Sequence, residues 1–345
     1  VRSAPPPSSG GLALVQMLKM LERFPMGESD EGFGFGALAT LNVMQETMRL
    51  AFADRALWVG DTDVVRDLPV DGLIDDDYLA SRAASCPRGG PSDQRYCIVA
   101  RARLTDVRAG DPRRFARRPI AATPRRASTG PEQEEGAHTT HITIVDREGN
   151  VVSYTTTIES PWGTGLMVRG FGFMLNNEMT DFNLSPRRRG EPTDVGFDPG
   201  ANDVAPFKRP RSSMAPTIVF APGEGGERPV AAFGSPGGAT IINTALNFAI
   251  DLIDHRLSVR GAVERPRMSL TNAADDATTS VEEGFDPRTL DRLRAMGYRF
   301  EESGAIGAVQ AIVIEPRTGA IYGAADPRRN GTVIGLPRPA VAGTL

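Results

Sequence analysis

The stretch TTHITIVDREGNVVSYTTTI, residues 139–158, decides the fold of the second half of this chain. Its two halves alternate apolar and polar residues or favour β-branched ones, which is typical of strands, and the REGN sequence between them is typical of a turn. We therefore predict a β-hairpin that begins at Thr139. The sequence just before it is charged and rich in small residues, so the adjacent hydroxyls of Thr139 and Thr140 stand where a poorly structured segment meets a strand.

The segments around this hairpin predict separate blocks of helices and strands. Residues 10–24 and 36–60 repeat apolar side chains every three or four positions, which is typical of helices. The remaining predicted elements are strands at 171–177, 216–221, 229–235, 308–315 and 319–325, and helices at 238–255 and 287–297. Blocks of this kind indicate an α+β layered protein rather than an alternating βαβ fold.

Residues 108–138 differ in composition from the segments on either side. They are rich in Arg, Gly, Pro and Ser and contain few large apolar side chains, so they cannot bury enough surface to order themselves. We predict a flexible linker here. The arginine clusters are followed by acidic residues, which favours a solvated run over a site for an anionic partner.

Overall composition narrows the class of protein further. The chain has 345 residues, 40% of them hydrophobic, which is ample for a packed core. A net charge of -4 gives no general reason to expect a nucleic-acid partner, and no apolar window is long enough to predict a membrane span. Three histidines, with neither a CxxC nor an HExxH motif, predict no metal site and no cofactor. Cys86 and Cys97 could form a disulfide in an oxidising compartment, or be a chance pair.

Thr139 is the first candidate for chemistry. A threonine hydroxyl is a weak nucleophile unless a base lies beside it, and the residue's own α-amine can serve only if the chain is cut before it. A flexible segment that ends at His138 would suit such a cut. Taken alone the pattern is weak, because β-branched residues commonly begin strands.

Three further segments carry polar groups beside predicted elements. Ser212 and Ser213 precede a strand and can either cap local backbone or hydrogen-bond a carboxylate. Gly237 and Gly238 precede a helix, where they can form an ordinary turn or offer N–H groups to an oxyanion. The sequence LNNEMTDF, residues 175–182, is either an acidic loop or a site for a cationic ammonium group.

The order and spacing of these segments resemble a known family. TTHITIVDREGNVVSYTTTIE, GFMLNNEMTDF, KRPRSSMAPTIV and GSPGGATII are similar to the small subunit of the γ-glutamyltranspeptidases, members of the N-terminal-nucleophile hydrolase superfamily. PPPSSGGLALVQMLKMLE and AFADRALWVGDTDV resemble the second half of that family's large subunit. The resemblance implies an α+β, four-layer αββα fold. We expect it to be incomplete in this chain, because the front half of the large subunit has no counterpart and Val1 is not an initiator methionine.

The same resemblance divides the chain into three parts. It implies that residues 1–107 are the mainly helical second half of the large subunit, that 108–138 are the flexible linker before the cleavage site, and that 139–345 are the small subunit. It further implies that one precursor cuts itself between His138 and Thr139 to give the two subunits.

The activity that the resemblance implies is that of an autoprocessing γ-glutamyl hydrolase and transferase, acting on glutathione and related compounds without a cofactor. Thr139 would attack the γ-glutamyl carbonyl with its freed amine as base, and Thr157 would hold the nucleophile's oxygen. The acyl group would pass to water, an amino acid or a peptide. The other implied roles are oxyanion N–H groups from Gly237 and Gly238, contacts to the substrate α-carboxylate from Ser212 and Ser213, and contacts to its α-ammonium from Glu178 and Asp181.

Glu159 departs from the family's pattern, which has asparagine at this position. The change alters the substrate pocket and would put a third carboxylate near the α-ammonium site. It leaves open a cephalosporin or glutaryl acylase on the same fold, and an inactive truncated module is a second alternative. The resemblance also suggests a periplasmic or secreted location, which would suit a Cys86–Cys97 bridge.

Overall fold

The computed structural model describes residues 1–84, 103–120, 138–183, 200–223 and 225–336. The α-helices within these ranges are α1 (Gly10–Leu21), α2 (Leu38–Trp58), α3 (Val70–Leu73), α4 (Asp76–Ala83), α5 (Thr240–Ile253), α6 (Val259–Glu264) and α7 (Pro287–Ala295). The strands are β1 (Arg2–Ser3), β2 (Thr139–Val145), β3 (Val151–Thr157), β4 (Thr217–Gly223), β5 (Gly226–Gly234), β6 (Met268–Ser269), β7 (Thr278–Val281), β8 (Arg299–Glu302), β9 (Gln310–Ile314) and β10 (Ile321–Ala325).

Local sequence predicts the long helices, and at one of them it also explains where the helix begins. The four helices expected from apolar spacing are confirmed as α1, α2, α5 and α7. At α7 the Asp286 carboxylate accepts from the N–H groups of Arg288 and Thr289, and Pro287 occupies the first turn, where a missing N–H costs nothing. The buried faces of α1, α2 and α5 meet in one hydrophobic core.

The predicted hairpin is confirmed as β2 and β3, which pair antiparallel from Thr139 opposite Thr157 to Val145 opposite Val151. A five-stranded sheet of order β1-β4-β5-β9-β10, antiparallel throughout, lies against it. Side chains of the hairpin hydrogen-bond to backbone carbonyls of this sheet: Ser153 Oγ donates to Phe233 O at 3.0 Å, and Thr143 Oγ1 donates to Gln310 O at 3.1 Å. The two sheets are therefore joined by polar contacts.

The end of β5 separates the hairpin from the helices. Successive residues of a strand point to opposite faces. Phe233 packs on Phe248 of α5, with ring centroids 4.8 Å apart, whereas a side chain at Gly234 would collide with the ring of His141. The hairpin and α5 thus lie on opposite faces of the five-stranded sheet, which gives a sheet-on-sheet-on-helix arrangement.

This arrangement is an α+β fold, as expected. A small third sheet, β6-β7-β8, adds a parallel pair between β7 and β8 that the sequence pattern did not predict. Within the described ranges, none of the helices combines the length and the apolar content that a bilayer crossing requires.

The strand predicted at residues 171–177 is wrong. Residues 162–175 fold back on themselves instead, with the Leu175 N–H donating to Leu166 O and the Val168 N–H donating to Phe173 O. Gly170 and Gly172 have φ of 86° and 75°, which suits a tight reversal rather than a strand. Phe171 is 80% exposed, so the apolar run that suggested a strand does not enter the core.

The range predicted as a linker begins with residues that contact the helical part. Trp58 Nε1 donates to Gly110 O at 2.8 Å, and the Gly110 N–H donates to Asp54 Oδ1 at 2.8 Å. The Arg117 N–H donates to Asp71 Oδ2 at 2.7 Å. These bonds attach residues 108–120 to α2 and α3, and 121–137 lie outside the described residues. The division at 107 and 138 stays a prediction.

Candidate active site

Thr139 and Thr157 are cross-strand partners, so their hydroxyls lie on the same face of the hairpin. The Thr139 hydroxyl donates to Thr157 Oγ1 at 3.1 Å, and the Glu159 N–H donates to the same oxygen at 2.9 Å. The Thr157 hydroxyl in turn points to the carbonyl of His138 at 3.4 Å. Thr139 is only 6% exposed, so its oxygen is held in one direction within a largely dry environment.

The predicted site residues converge, although they come from four separate segments of the chain. Eight of the nine line one cleft, all except Gly237, which adjoins it. The lining residues are Thr139, Thr157, Glu159, Glu178, Asp181, Ser212, Ser213, Met214, Gly238 and Ile241. The cleft, counted out to its open mouth, has an empty volume of about 230 Å³.

Met214 and Ile241 belong to this cleft without having been predicted. Met214 directly follows the predicted pair Ser212 and Ser213, and Ile241 stands three residues after Gly238. Their apolar side chains could have been inferred only as neighbours of those motifs. They supply the apolar wall that small-molecule clefts generally combine with a few polar groups.

The side chain of Asn177 joins the end of β3 to the acidic turn. Its Oδ1 accepts from the Ser160 N–H at 2.9 Å, and its Nδ2 donates to Glu159 Oε2. The Ser160 hydroxyl donates to the same carboxylate oxygen at 2.5 Å. Residues Glu178–Asp181 then form one turn of 3-10 helix. Asn177 therefore joins Glu159 to the turn that carries Glu178 and Asp181.

Glu159 has an unusual backbone conformation. Its φ is 72°, in the left-handed region that non-glycine residues rarely adopt and that asparagine enters several-fold more readily. Its side chain is buried, with 5% exposure. Strained residues of this kind cluster at functional sites and cost on the order of 1–3 kcal/mol. The position explains in physical terms why an asparagine would fit here.

Gly237 and Gly238 form the turn that leads into α5. Their φ angles are 141° and 58°, so both need glycine. Their carbonyls accept from the N–H groups of Thr240 and Ile241. Among the residues that the structure describes, neither glycine N–H has a protein acceptor. Two such donors beside a helix start can stabilise negative charge in the cleft.

His141 lies two residues beyond Thr139 on the same buried face. Thr143 donates its proton to Gln310 O, so Thr143 Oγ1 must accept from His141 Nε2–H at 3.0 Å. Nδ1 then accepts from the Thr155 hydroxyl at 2.8 Å. Burial lowers the pKa of His141 to about 4, so the imidazole is neutral at neutral pH. This chain of hydrogen bonds fixes β2 between β3 and β9.

The depressed pKa of His141 predicts a specific pH dependence of stability. Unfolded histidine takes up a proton near pH 6.5, whereas folded His141 does so only near pH 4. The contribution of neutral His141 to stability is therefore fully present above pH 6.5. The free energy of unfolding should fall by about 3 kcal/mol on this account as the pH drops to 4.

Urea unfolding between pH 7 and 4 measures this loss, with His141→Gln as the comparison. Carboxylates and His255 titrate in both proteins, so the difference between wild type and variant isolates His141. A difference that stays constant across this pH range would show that the ring is not held neutral by the fold.

Within the described ranges, no group of three or more His, Cys, Asp or Glu side chains is arranged to hold a metal ion. The cleft contains the buried hydroxyl of Thr139, the hydroxyls of Ser212 and Ser213, three acidic side chains and the backbone N–H of Gly238. These are groups suited to acyl transfer at an amide carbonyl.

Comparison with known proteins agrees with the fold. The family model described as gamma-glutamyltranspeptidase matches residues 1–336. The chain is 38% identical over 337 residues to a glutathione hydrolase proenzyme of Bacillus subtilis, covering 97% of this chain and 51% of that protein. It is 36% identical to a glutathione hydrolase proenzyme of Escherichia coli, covering 95% and 49%. The chain spans about half the length of the curated relatives it matches.

Two further comparisons concern acylases. An acylase ACY 1 proenzyme from a Pseudomonas strain is 32% identical over 96% of this chain and 49% of its own length. The crystal structure of a cephalosporin acylase from Bacillus halodurans superposes with a TM-score of 0.71 at 22% identity, covering 97% of this chain and 51% of that one. At this identity the likeness establishes the fold alone.

These likenesses define the class of protein first: the fold is that of the N-terminal-nucleophile hydrolases. The match over residues 1–336 then identifies the family. The chain belongs to the γ-glutamyltranspeptidase family.

Proposed function

We propose that this protein is an autoprocessing γ-glutamyl hydrolase and transferase in which Thr139 is the nucleophile. The observation that carries the proposal is the buried Thr139 hydroxyl, 3.1 Å from Thr157 Oγ1, in a cleft that also contains Glu178, Asp181 and Ser213. Relatives named glutathione hydrolase proenzymes support glutathione as the substrate and a precursor that is processed.

The first step is cleavage of the precursor. Thr139 Oγ attacks the His138 carbonyl carbon, and the hydroxyl proton passes to the nitrogen that leaves. The His138–Thr139 peptide bond becomes an ester, and the amine of Thr139 is freed in this step. Water then hydrolyses the ester, which gives a carboxylate at His138 and restores the Thr139 hydroxyl. Thr157 suits this step because its hydroxyl contacts both the nucleophile and the His138 carbonyl. The products are a large and a small subunit from one precursor.

The freed amine then serves as the base for the second reaction. It takes the proton of the Thr139 hydroxyl as Oγ attacks the γ-glutamyl carbonyl, and it returns that proton to the departing amine. The Gly237 and Gly238 N–H groups stabilise the negative oxygen of the tetrahedral intermediate. Water, an amino acid or a peptide then takes the acyl group from the threonine ester.

Substrate recognition uses the two polar sides of the cleft. Ser212 and Ser213 hydrogen-bond the α-carboxylate of the γ-glutamyl group, and the carboxylates of Glu159, Glu178 and Asp181 bind its α-ammonium. A periplasmic or secreted location stays a prediction, and Cys86 and Cys97 lie outside the described residues.

The second candidate function is a cephalosporin or glutaryl acylase with the same nucleophile, and the relatives named acylase ACY 1 proenzymes support an acylase in general. The test compares kcat/KM of the full-length enzyme for γ-glutamyl-p-nitroanilide and glutaryl-p-nitroanilide, which differ only by the α-ammonium group. Preference for glutaryl would replace the proposed function by the acylase. A third candidate, an inactive module, is tested by a denaturing gel, where a processed enzyme gives two bands.

The Glu159→Asn variant tests the charge of the ammonium side. Three carboxylates favour a donor that carries an α-ammonium and disfavour the glutaryl group, which lacks it. Removing one negative charge should therefore improve kcat/KM for glutaryl-p-nitroanilide by about tenfold, while γ-glutamyl turnover is retained. Asparagine also fits the left-handed conformation at this position better than glutamate does.

Glu148→Asn is the matched control for this variant. Glu148 is exposed in the turn at the far end of the same hairpin, so the change in net charge is the same but distant from the cleft. Its donor preference should equal that of wild type. Equal effects of the two substitutions would mean that overall charge, not the contact in the cleft, sets the preference.

A further inference from the structure

A buried arginine lies directly behind the part of the cleft formed by Ser212 and Ser213. Arg55, near the end of α2, is 1% exposed. Its Nη2 donates to Ser213 Oγ at 2.8 Å, and its Nε donates to Ser9 Oγ at 2.7 Å. The guanidinium therefore connects a cleft-lining hydroxyl with the residue that precedes α1.

The backbone at Ser212–Met214 is held from the same side. The N–H and the hydroxyl of Ser9 both donate to Ser212 O at 2.7 Å, and the Ser8 hydroxyl donates to Met214 O at 2.6 Å. A side chain at Gly10 would collide with the carbonyls of Ser213 and Met214, so the start of α1 packs directly on this segment. Arg55 thus acts on a segment whose main chain is already positioned.

Hydrogen-bond direction links Arg55 to recognition. A guanidinium has donors and no acceptor, so Ser213 Oγ is the acceptor in its bond with Arg55. The proton of Ser213 must then point away from Arg55. The arginine also places a positive charge close behind a wall of the cleft, and it keeps that charge at any pH at which a protein is folded.

We propose that Arg55 is a positioning residue that makes the cleft selective for donors carrying an α-carboxylate. It orients the Ser213 hydroxyl as a donor and adds a fixed positive potential behind it. This inference rests on the proposed function, since it names how one side of that same site recognises its substrate. Arg55 acts through Ser213 and does not itself contact the reacting atoms.

The test replaces Arg55 by lysine, which keeps the charge but cannot reproduce the planar fork of donors to Ser9 and Ser213. We expect KM for γ-glutamyl-p-nitroanilide to rise about tenfold with kcat changed little. For 4-aminobutyryl-p-nitroanilide, the same donor without the α-carboxylate, kcat/KM should be unchanged. Equal losses on both donors, or none on either, would overturn the inference.

A double-mutant cycle gives a second measurement that needs only the γ-glutamyl donor. If Arg55 acts through Ser213, Arg55→Lys should have little further effect on KM in a Ser213→Ala background. Additive effects would overturn the inference. Should the lysine variant fail to fold, Ser9→Ala removes another hydrogen-bond partner of the guanidinium, and its KM should rise in the same direction.

Arg49→Lys is the matched control. Arg49 lies in the same helix and is equally buried, but it bonds Glu46 and Asp275 rather than a residue of the cleft. It should lower the melting temperature without a selective effect on KM. A wild-type enzyme that does not turn over γ-glutamyl donors would refute the proposed function itself, whereas normal wild-type turnover with an unselective Arg55→Lys variant refutes this inference alone.

Discussion

Replacing Thr139 by alanine is expected to leave the chain uncut and to reduce turnover of γ-glutamyl-p-nitroanilide about 10³-fold or more. The hydroxyl is the group that attacks in both proposed reactions, and the amine that serves as base is freed only by the first. Thr157 offers a second hydroxyl nearby, but its oxygen accepts from Thr139 and from the Glu159 N–H and is positioned to support rather than to attack. Mass spectrometry of the purified protein measures the cut directly.

Thr140→Ala is the control for this variant, because it removes the neighbouring hydroxyl. Thr140 is exposed and pairs with Thr156 on the opposite face of the hairpin, so self-cleavage and turnover should be normal. The nucleophile is misassigned if the mature small chain begins at a residue other than Thr139, or if the Thr139→Ala variant is still cut.

Removing the N–H of Gly238 is expected to slow acylation on the order of 100-fold, as the loss of one oxyanion donor does in other acyl-transfer enzymes. Proline is unsuitable for this purpose because it requires φ near -65°, whereas Gly238 has φ of 58°. Glycolic acid at position 238 replaces the N–H by oxygen and leaves the backbone angles allowed. Single-turnover release of p-nitroaniline measures the acylation rate.

Two controls separate the oxyanion role from a change in the turn. The ester also weakens Gly237 O, which accepts from Thr240 Oγ1 at 2.8 Å, so Thr240→Val tests that contact alone and should have a much smaller effect. The same exchange at Gly170, an exposed glycine with φ of 86°, should leave the rate unchanged. A normal acylation rate with glycolic acid at 238 would remove the oxyanion role.

The helices and the hairpin were predictable because their signals are local. Apolar residues repeat at helical spacing in α1, α2 and α5, and β-branched runs flank the turn at 147–150. The same reasoning failed at 171–177, where an apolar run forms an exposed reversal. Local pattern cannot distinguish a strand that pairs from a segment that finds no partner, because pairing depends on residues distant in sequence.

The hairpin buries its polar face and exposes its apolar face, which is the reverse of the usual arrangement. Thr139, His141 and Thr155 face the five-stranded sheet, whereas Ile142 and Tyr154 on the other face are 48% and 54% exposed. Polar side chains are tolerated inside because the carbonyls of Phe233 and Gln310 and the ring of His141 satisfy them. A rule that places apolar residues inward would have buried the wrong face.

The sequence by itself determined the hairpin and the four long helices, the family resemblance and the chemical types of the site residues, since each of these depends on neighbouring residues. Only the tertiary structure decided that Thr139, Asp181, Ser213 and Gly238 line one cleft, because no local signal reports how separate elements pack. It also brought Arg55 behind Ser213 across 158 positions of sequence. A buried arginine on a helix has no recognisable spacing to its partner, and its role follows from packing alone.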